Sequence, residues 1–252
     1  MKNTSLIMHL FYKDSSFYLL DKVSKFCKHD KLYLSLAQDA PHNNEIVEYA
    51  KKYYNKIVVN EEYNFGNDQY GLYKIFTKYV DEVDNYIFYF HDKHPSKLDW
   101  IDDLLDPFIK TDIDSKLLNN SNGIIVSNNS KYQLKLMNEM SLAKIGSELP
   151  HRNLITNIRA KQTLLWVREL QELLFKSTGI LEEEYLNFEF TAGNMFCIKK
   201  TILQLSLHCI HDNFFEHGYR IDGNVEHGLE RFYFYVNLCL KHNVLKIGDM
   251  NV

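Results

Sequence analysis

Four titratable side chains stand together at the end of one apolar segment. Tyr86–Phe90 is an unbroken aromatic and β-branched run, and His91, Asp92, Lys93 and His94 follow it without a spacer. Such a run predicts a strand covered on both faces, and polar residues after a central strand of an open α/β sheet lie where ligands bind. The lysine suits a diphosphate, whereas the aspartate with a flanking histidine suits a divalent ion. A strand end that only meets water is the simpler alternative.

Two glycine-bearing segments are further candidates. Asn64, Gly66 and Asp68 form a turn before a predicted helix, and they offer backbone N–H groups and a carboxylate to a ribose or base. Gly193 interrupts a strand-like pattern and lets a ligand approach the backbone. An ordinary turn and an ordinary bulge remain the alternatives.

A late charged segment, Asp222 to Arg231, offers acid and base chemistry. Glu226 and Glu230 are four residues apart and share a helix face, and His227 is three residues from Glu230. A carboxylate held near a hydroxyl acts as a general base. Ordinary ion pairs on a solvated face are the alternative.

Composition restricts the class of protein. The chain has 252 residues, 45% of them hydrophobic, and a net charge of -4, which argues against a nucleic-acid partner. No apolar run is long enough to span a membrane and no signal peptide is recognisable, so we expect a cytoplasmic protein. The four cysteines form no CxxC pair, so we expect reduced thiols rather than structural zinc.

Strand-like and helix-like segments alternate along the chain. This alternation predicts one α/β domain with a mixed, mainly parallel sheet flanked by helices. We expect Ser96 to cap the helix that follows the central strand. The other predicted strands are Leu6–Tyr12, Leu32–Leu36, Lys56–Val59, Gly123–Ser127 and an interrupted Phe188–Ile198, and the other predicted helices are Phe17–Phe26, Glu45–Tyr54, Gln69–Val80, Tyr132–Ile145, Gln162–Phe175 and one from Asp222.

The order of six short motifs resembles the rhamnan synthesis protein F family, bacterial proteins that build rhamnose-containing and other cell-surface polysaccharides. The motifs are HLFY, LYLSL, NFGNDQYG, YIFYFHDKHPSKLDWIDDLL, FTAGNMFCIKK and DGNVEHGLERFYFY, and they run from about residue 8 to about residue 240. The resemblance implies a glycosyltransferase of GT-A-like fold that uses a nucleotide-diphosphate sugar. It would transfer rhamnose, a furanose or a hexose to a growing capsular or lipopolysaccharide chain. A non-catalytic sugar-binding or scaffolding module of a polysaccharide synthase is the alternative.

The resemblance also implies how the chain is divided and what it meets. It implies a nucleotide-binding half of about residues 1–127 and an acceptor-side half of about residues 128–252. The implied partners are the nucleotide sugar, a lipid-linked or oligosaccharide acceptor and other polysaccharide-assembly enzymes, with no nucleic acid. The implied location is cytoplasmic and peripheral at the inner face of the membrane.

The same resemblance assigns roles to residues. It implies donor binding by Asn64, Gly66, Asp68, His91, Asp92, Lys93 and Arg231, a sugar-facing or acceptor segment of Thr191, Ala192, Gly193 and Asn194, and catalytic roles for Asp222, His227 and Glu230. The chain departs from the usual Asp-x-Asp of metal-dependent GT-A enzymes, so Mn²⁺ or Mg²⁺ dependence stays open, with Asp92 as the candidate ligand. Lys93, with Arg159 or Arg231, would stabilise the leaving diphosphate, and Glu230 or Asp222 would act as base.

Overall fold

The computed structural model describes residues 3–63, 67–117, 119–128, 135–137, 153–180, 188–190, 193–215 and 224–248. In these ranges no helix is both long and apolar enough to cross a membrane.

A seven-stranded sheet forms the centre of the molecule, in the order β3-β2-β1-β4-β8-β5-β9. Strand β8 runs antiparallel to β4 and β5, and the other neighbours pair in parallel. The prediction of a mixed, mainly parallel sheet is therefore confirmed. The strands are β1 Thr4–Leu10, β2 Lys31–Ala37, β3 Lys56–Glu62, β4 Tyr86–His91, β5 Asn122–Ser127, β8 Phe196–Lys199 and β9 Asn243–Ile247, while β6 Lys135–Met137 and β7 Phe188–Phe190 form a separate antiparallel pair.

Helices cover both faces of this sheet. One buried cluster packs α3, α6, α7 and α8 on one face, and a second packs α1, α2 and α4 on the other. The helices are α1 Lys13–Val23, α2 Asn43–Ala50, α3 Asn67–Tyr79, α4 Leu98–Lys110, α5 Ile113–Leu117, α6 Asn153–Thr178, α7 Lys200–Leu207 and α8 Val225–Cys239.

Strand β4 shows why its sequence is apolar throughout. Ile87 and Tyr89 belong to the first buried cluster, whereas Phe88 and Phe90 belong to the second. Because successive side chains of a strand point to opposite faces, a strand covered on both sides needs an apolar residue at every position.

Several predicted elements differ in the structure. The predicted strand Phe188–Ile198 is two strands, β7 and β8, in different sheets. The predicted helix Tyr132–Ile145 is wrong at residues 135–137, which form β6, and its remaining residues lie outside the described ranges. Ser96 does not cap α4, because it lies inside a 3-10 turn, Pro95–Lys97, whose own cap is the side chain of His94.

Candidate active site at the carboxyl edge of the sheet

Six of the predicted site residues meet at the carboxyl edge of the sheet. They come from the end of β4, the start of α3, the segment before β8 and the middle of α8. We call this group the carboxyl-edge cluster: Asp68, His91, Lys93, Gly193, Asn194 and Glu230. Widely separated segments of the chain thus converge where open α/β sheets bind ligands.

The peptide of Gly193 connects a cation to a carboxylate. The Lys93 ammonium donates to the Gly193 carbonyl at 3.1 Å, and the Gly193 N–H donates to Glu230 Oε1 at 2.9 Å. Gly193 has φ +104°, and a Cβ there would lie 2.9 Å from Leu104 Cδ1. Only glycine adopts this conformation at low cost, so the residue type fixes how Lys93 and Glu230 face each other.

His91 lies beside the same carbonyl. Its Nε2 is 3.0 Å from Gly193 O and 2.8 Å from Lys93 Nζ. A protonated Nε2 donates to the carbonyl, whereas a bare Nε2 accepts from the ammonium, so the tautomer selects one contact.

A second set of hydrogen bonds orients Asp68. Its Oδ2 accepts from the side-chain amides of Asn194 and Gln69, the latter at 3.3 Å, and the Tyr233 hydroxyl donates to Gln69 Oε1 at 2.6 Å. Asn194 has φ +53°, which is uncommon for a residue with a side chain, and its buried Oδ1 has no hydrogen-bond partner in the described part of the chain. Backbone strain and an unsatisfied acceptor thus coincide at one residue of the cluster, a combination typical of functional sites.

Burial and neighbouring charges set the protonation of the cluster. Burial lowers the pKa of Lys93 to about 8, against the opposing effect of Asp68, Glu230 and Asp92. Burial lowers the pKa of His91 to about 4, so its imidazole is neutral at neutral pH. Burial acts to raise the pKa of Asp68, but His91 and Lys93 outweigh it and lower that pKa, so the carboxylate is ionised. The cluster therefore holds an ammonium and a carboxylate in a largely desolvated setting.

Asp92 accepts hydrogen bonds from groups around the start of α1. Its Oδ2 accepts from the N–H groups of Phe11 and Tyr12 at 2.9 and 2.6 Å, and from the Ser16 hydroxyl at 2.8 Å. Burial raises its pKa to about 6 in spite of these bonds. An anion at a helix start also meets the positive end of the helix dipole.

These contacts give no support to a metal site at Asp92. In the ranges that the structure describes, no group of three or more His, Cys, Asp or Glu side chains is arranged to hold a metal ion. The metal and donor-binding roles of Asp92 stay predictions.

Arg231 lies beside Glu230. One guanidinium nitrogen donates to the His227 carbonyl at 2.6 Å and lies 3.4 Å from Glu230 Oε2, and the guanidinium stacks 4.6 Å above the Phe190 ring. Arg231 therefore fixes the carboxylate of Glu230, and His227 is joined to it through the backbone.

Five of the predicted site residues lie outside the described residues, as does the side chain of Arg159. The five are Asn64, Gly66, Thr191, Ala192 and Asp222.

Sequence reasoning missed two residues that hold the cluster in place, Gln69 and Tyr233. Gln69 directly follows Asp68, and Tyr233 is three residues after Glu230, so the two side chains of α8 share a face. That helical spacing is the signal that could have found Tyr233. A third residue, His9, was also not identified from the sequence. It is buried on β1 beside His91, and its Nδ1 lies 3.1 Å from Ser35 Oγ.

A cavity of about 1150 Å³ lies at the opposite edge of the sheet. It is lined by Thr4, Tyr86, Lys199 and Lys200 among others, and no described residue of the carboxyl-edge cluster lines it. The predicted chemistry and this cavity therefore occupy different ends of the strands.

The fold and the cluster define a Rossmann-like α/β protein with polar residues gathered at the carboxyl ends of its parallel strands. The family model of rhamnan synthesis protein F matches residues 1–241, nearly the whole chain. The chain belongs to the rhamnan synthesis protein F family, and membership implies a role in polysaccharide synthesis. The search of curated proteins found no match to this chain.

Proposed function

We propose that the protein is a glycosyltransferase of GT-A-like fold. It transfers rhamnose, a furanose or a hexose from a nucleotide-diphosphate donor to a growing cell-surface polysaccharide. The observation that carries this proposal is the bridge at Gly193, which joins the ammonium of Lys93 to the carboxylate of Glu230.

Lys93 is the residue that faces the leaving group. When the bond between the anomeric carbon and the phosphate breaks, negative charge develops on the nucleotide diphosphate. A cation already held in a desolvated site stabilises that charge without reorganisation in the transition state. Lys93 is such a cation, because it lies two residues after the central strand, is desolvated by burial, and contacts His91 and the Gly193 carbonyl.

Glu230 is the proton acceptor in this proposal. An inverting transfer requires the acceptor hydroxyl to lose its proton to a nearby carboxylate. The Gly193 N–H and Arg231 hold Glu230 in one orientation, 2.9 and 3.4 Å from its two oxygens. Asp68 and Asn194 then face the nucleoside and the transferred sugar.

Family membership is the basis for a proposal about the acceptor and the partners. We propose a lipid-linked or oligosaccharide acceptor and cooperation with other polysaccharide-assembly enzymes. The protein would work in the cytoplasm, peripherally at the inner face of the membrane.

The test is turnover by the purified protein with a panel of uridine-, thymidine- and guanosine-diphosphate sugars. We expect donor hydrolysis or transfer with at least one of them. Lys93→Met and Glu230→Gln should each reduce the rate by about 100-fold or more while the protein stays folded. Lys110→Met is the matched control, because Lys110 is an exposed lysine at the far end of α4.

No binding and no turnover across the panel would contradict the proposal. Unchanged polymer output in cells carrying either site variant would instead favour a scaffolding module.

A further inference from the structure

A second lysine follows Lys93 in a fixed turn. The N–H of Lys97 donates to the His94 carbonyl at 2.8 Å, and the His94 side chain accepts from the N–H of Ser96 at 3.3 Å. Pro95 begins the 3-10 turn between them. The chain therefore folds back after β4, and Lys97 returns toward the end of that strand.

Both ammonium groups converge on one aromatic ring. Lys93 Nζ lies 4.4 Å from the centre of the Trp100 ring and Lys97 Nζ lies 5.4 Å from it. Trp100 is three residues after Lys97, at the start of α4, so this spacing brings its ring within reach of the Lys97 side chain. The charge of Lys97 is also among the effects that lower the pKa of Lys93, after burial.

The charges of Asp68, Glu230 and Asp92 partly offset that of Lys93, but each carboxylate accepts its hydrogen bonds from other groups. Asp68 accepts from Asn194 and Gln69, while Glu230 accepts from Gly193 and Arg231. Asp92 accepts from the backbone and hydroxyl groups around the start of α1. Within the described part of the chain, neither Lys93 nor Lys97 forms an ion pair with any of them.

Two ammonium groups that form no direct ion pair with a described residue suit a ligand with two adjacent anionic groups. We propose that Lys93 and Lys97, held by Trp100, bind the two phosphates of the donor diphosphate in place of a divalent metal ion. This inference rests on the proposed function and deepens it by naming the second cation. It also accounts for Asp92, which is used by the backbone and is not needed for an ion.

The test is nucleotide binding by titration calorimetry. Uridine, thymidine and guanosine diphosphates are compared with their monophosphates, first with EDTA and then with Mn²⁺. Losing one charge-assisted contact should weaken binding of the preferred diphosphate by about tenfold or more in Lys97→Met, with little change for the monophosphate. Lys97→Arg should retain the affinity, Lys97→Glu should lose more, and Lys110→Met should match the unmodified protein. Exchanging EDTA for Mn²⁺ should leave the affinity unchanged.

Two results would overturn the inference while leaving the proposed function in place. They are diphosphate binding that Lys97→Met leaves intact, and diphosphate binding that requires Mn²⁺. Failure of the unmodified protein to bind any nucleotide or nucleotide sugar would refute the proposed function and this inference together. Because Lys97 is exposed, its variants should fold normally, which a thermal melt verifies.

Discussion

If Lys93 binds the donor diphosphate as proposed, its charge should make nucleotide binding depend on pH between about pH 7 and about pH 9. Burial lowers its pKa to about 8, so the side chain is mostly an ammonium at about pH 7 and mostly a neutral amine at about pH 9. The protonated fraction falls roughly tenfold between these values, and if only the ammonium binds phosphate, the dissociation constant rises roughly tenfold. An ordinary lysine would remain charged throughout.

Other groups contribute little to this change. His91, with a pKa of about 4, is neutral across the range, and Asp92, with a pKa of about 6, is already ionised at its lower end. The terminal phosphate of a nucleotide loses its last proton near about pH 6, so the ligand keeps its charge. The change of the dissociation constant with pH therefore reports the deprotonation of Lys93.

The assay is a calorimetric titration with the best-bound nucleoside diphosphate, repeated from about pH 7 to about pH 9. Lys93→Arg should bind with an affinity that does not change with pH, because arginine stays charged. Lys93→Met should bind weakly and also without a slope. A flat profile for the unmodified protein, or a slope that persists in Lys93→Met, would refute the reasoning.

Three further predictions concern stability. Because the folded-state pKa of Asp92 is raised, its contribution is present at low pH and is lost as pH rises through about 6. The free energy of unfolding of the unmodified protein, relative to that of Asp92→Asn, should fall by about 2–3 kcal/mol from about pH 4 to about pH 7. Thermal melts at the two pH values measure this difference, and a constant difference would contradict the prediction. Gly193→Ala places a Cβ against Leu104 on a residue with φ +104°. It should lower the free energy of unfolding by about 1–3 kcal/mol and weaken nucleotide binding. An unchanged thermal melt would count against this prediction. Tyr233→Phe leaves Gln69 Oε1 without its donor, and urea unfolding should show a loss of about 1–3 kcal/mol, whereas no loss would mean that the bond is dispensable.

The first half of the fold was predictable from local patterns. The apolar run Tyr86–Phe90 was predicted as a strand, and β4 contains that run and extends one residue further, to His91. An apolar residue at every position of the run leaves no solvent-facing side. The helices and strands before it alternate as predicted, with ends shifted by a few residues.

The second half depends on pairings that local patterns do not encode. Strand β8 lies between β4 and β5 and runs antiparallel to them. Strand β7 pairs with β6 in a different sheet, although a single apolar pattern in the sequence covers β7 and β8. The backbone turn at Gly193 and Asn194, both at positive φ, interrupts that pattern. The glycine signalled an interruption, but not that the chain continues in another sheet.

Sequence patterns pointed to residues that the structure places in the carboxyl-edge cluster, but not to the hydrogen bonds that connect them. Residue types and spacing gave Lys93, Asp68 and Glu230 as candidates, but no spacing rule says that Gly193 joins the first to the last. Asp92 is the opposite case. Its position after β4 suggests a ligand site, but its carboxylate accepts hydrogen bonds from the N–H groups that precede α1. Tertiary contacts decide which of two adjacent charged residues joins the carboxyl-edge cluster.

The central claim is that the donor diphosphate binds beside Lys93 at the carboxyl edge of the sheet. The most direct test is a crystal structure with a nucleoside diphosphate, with and without Mn²⁺. We predict phosphate oxygens within hydrogen-bond distance of Lys93 Nζ in both structures. A diphosphate bound in the cavity at the opposite edge, or held through a metal ion on Asp92, would contradict the account.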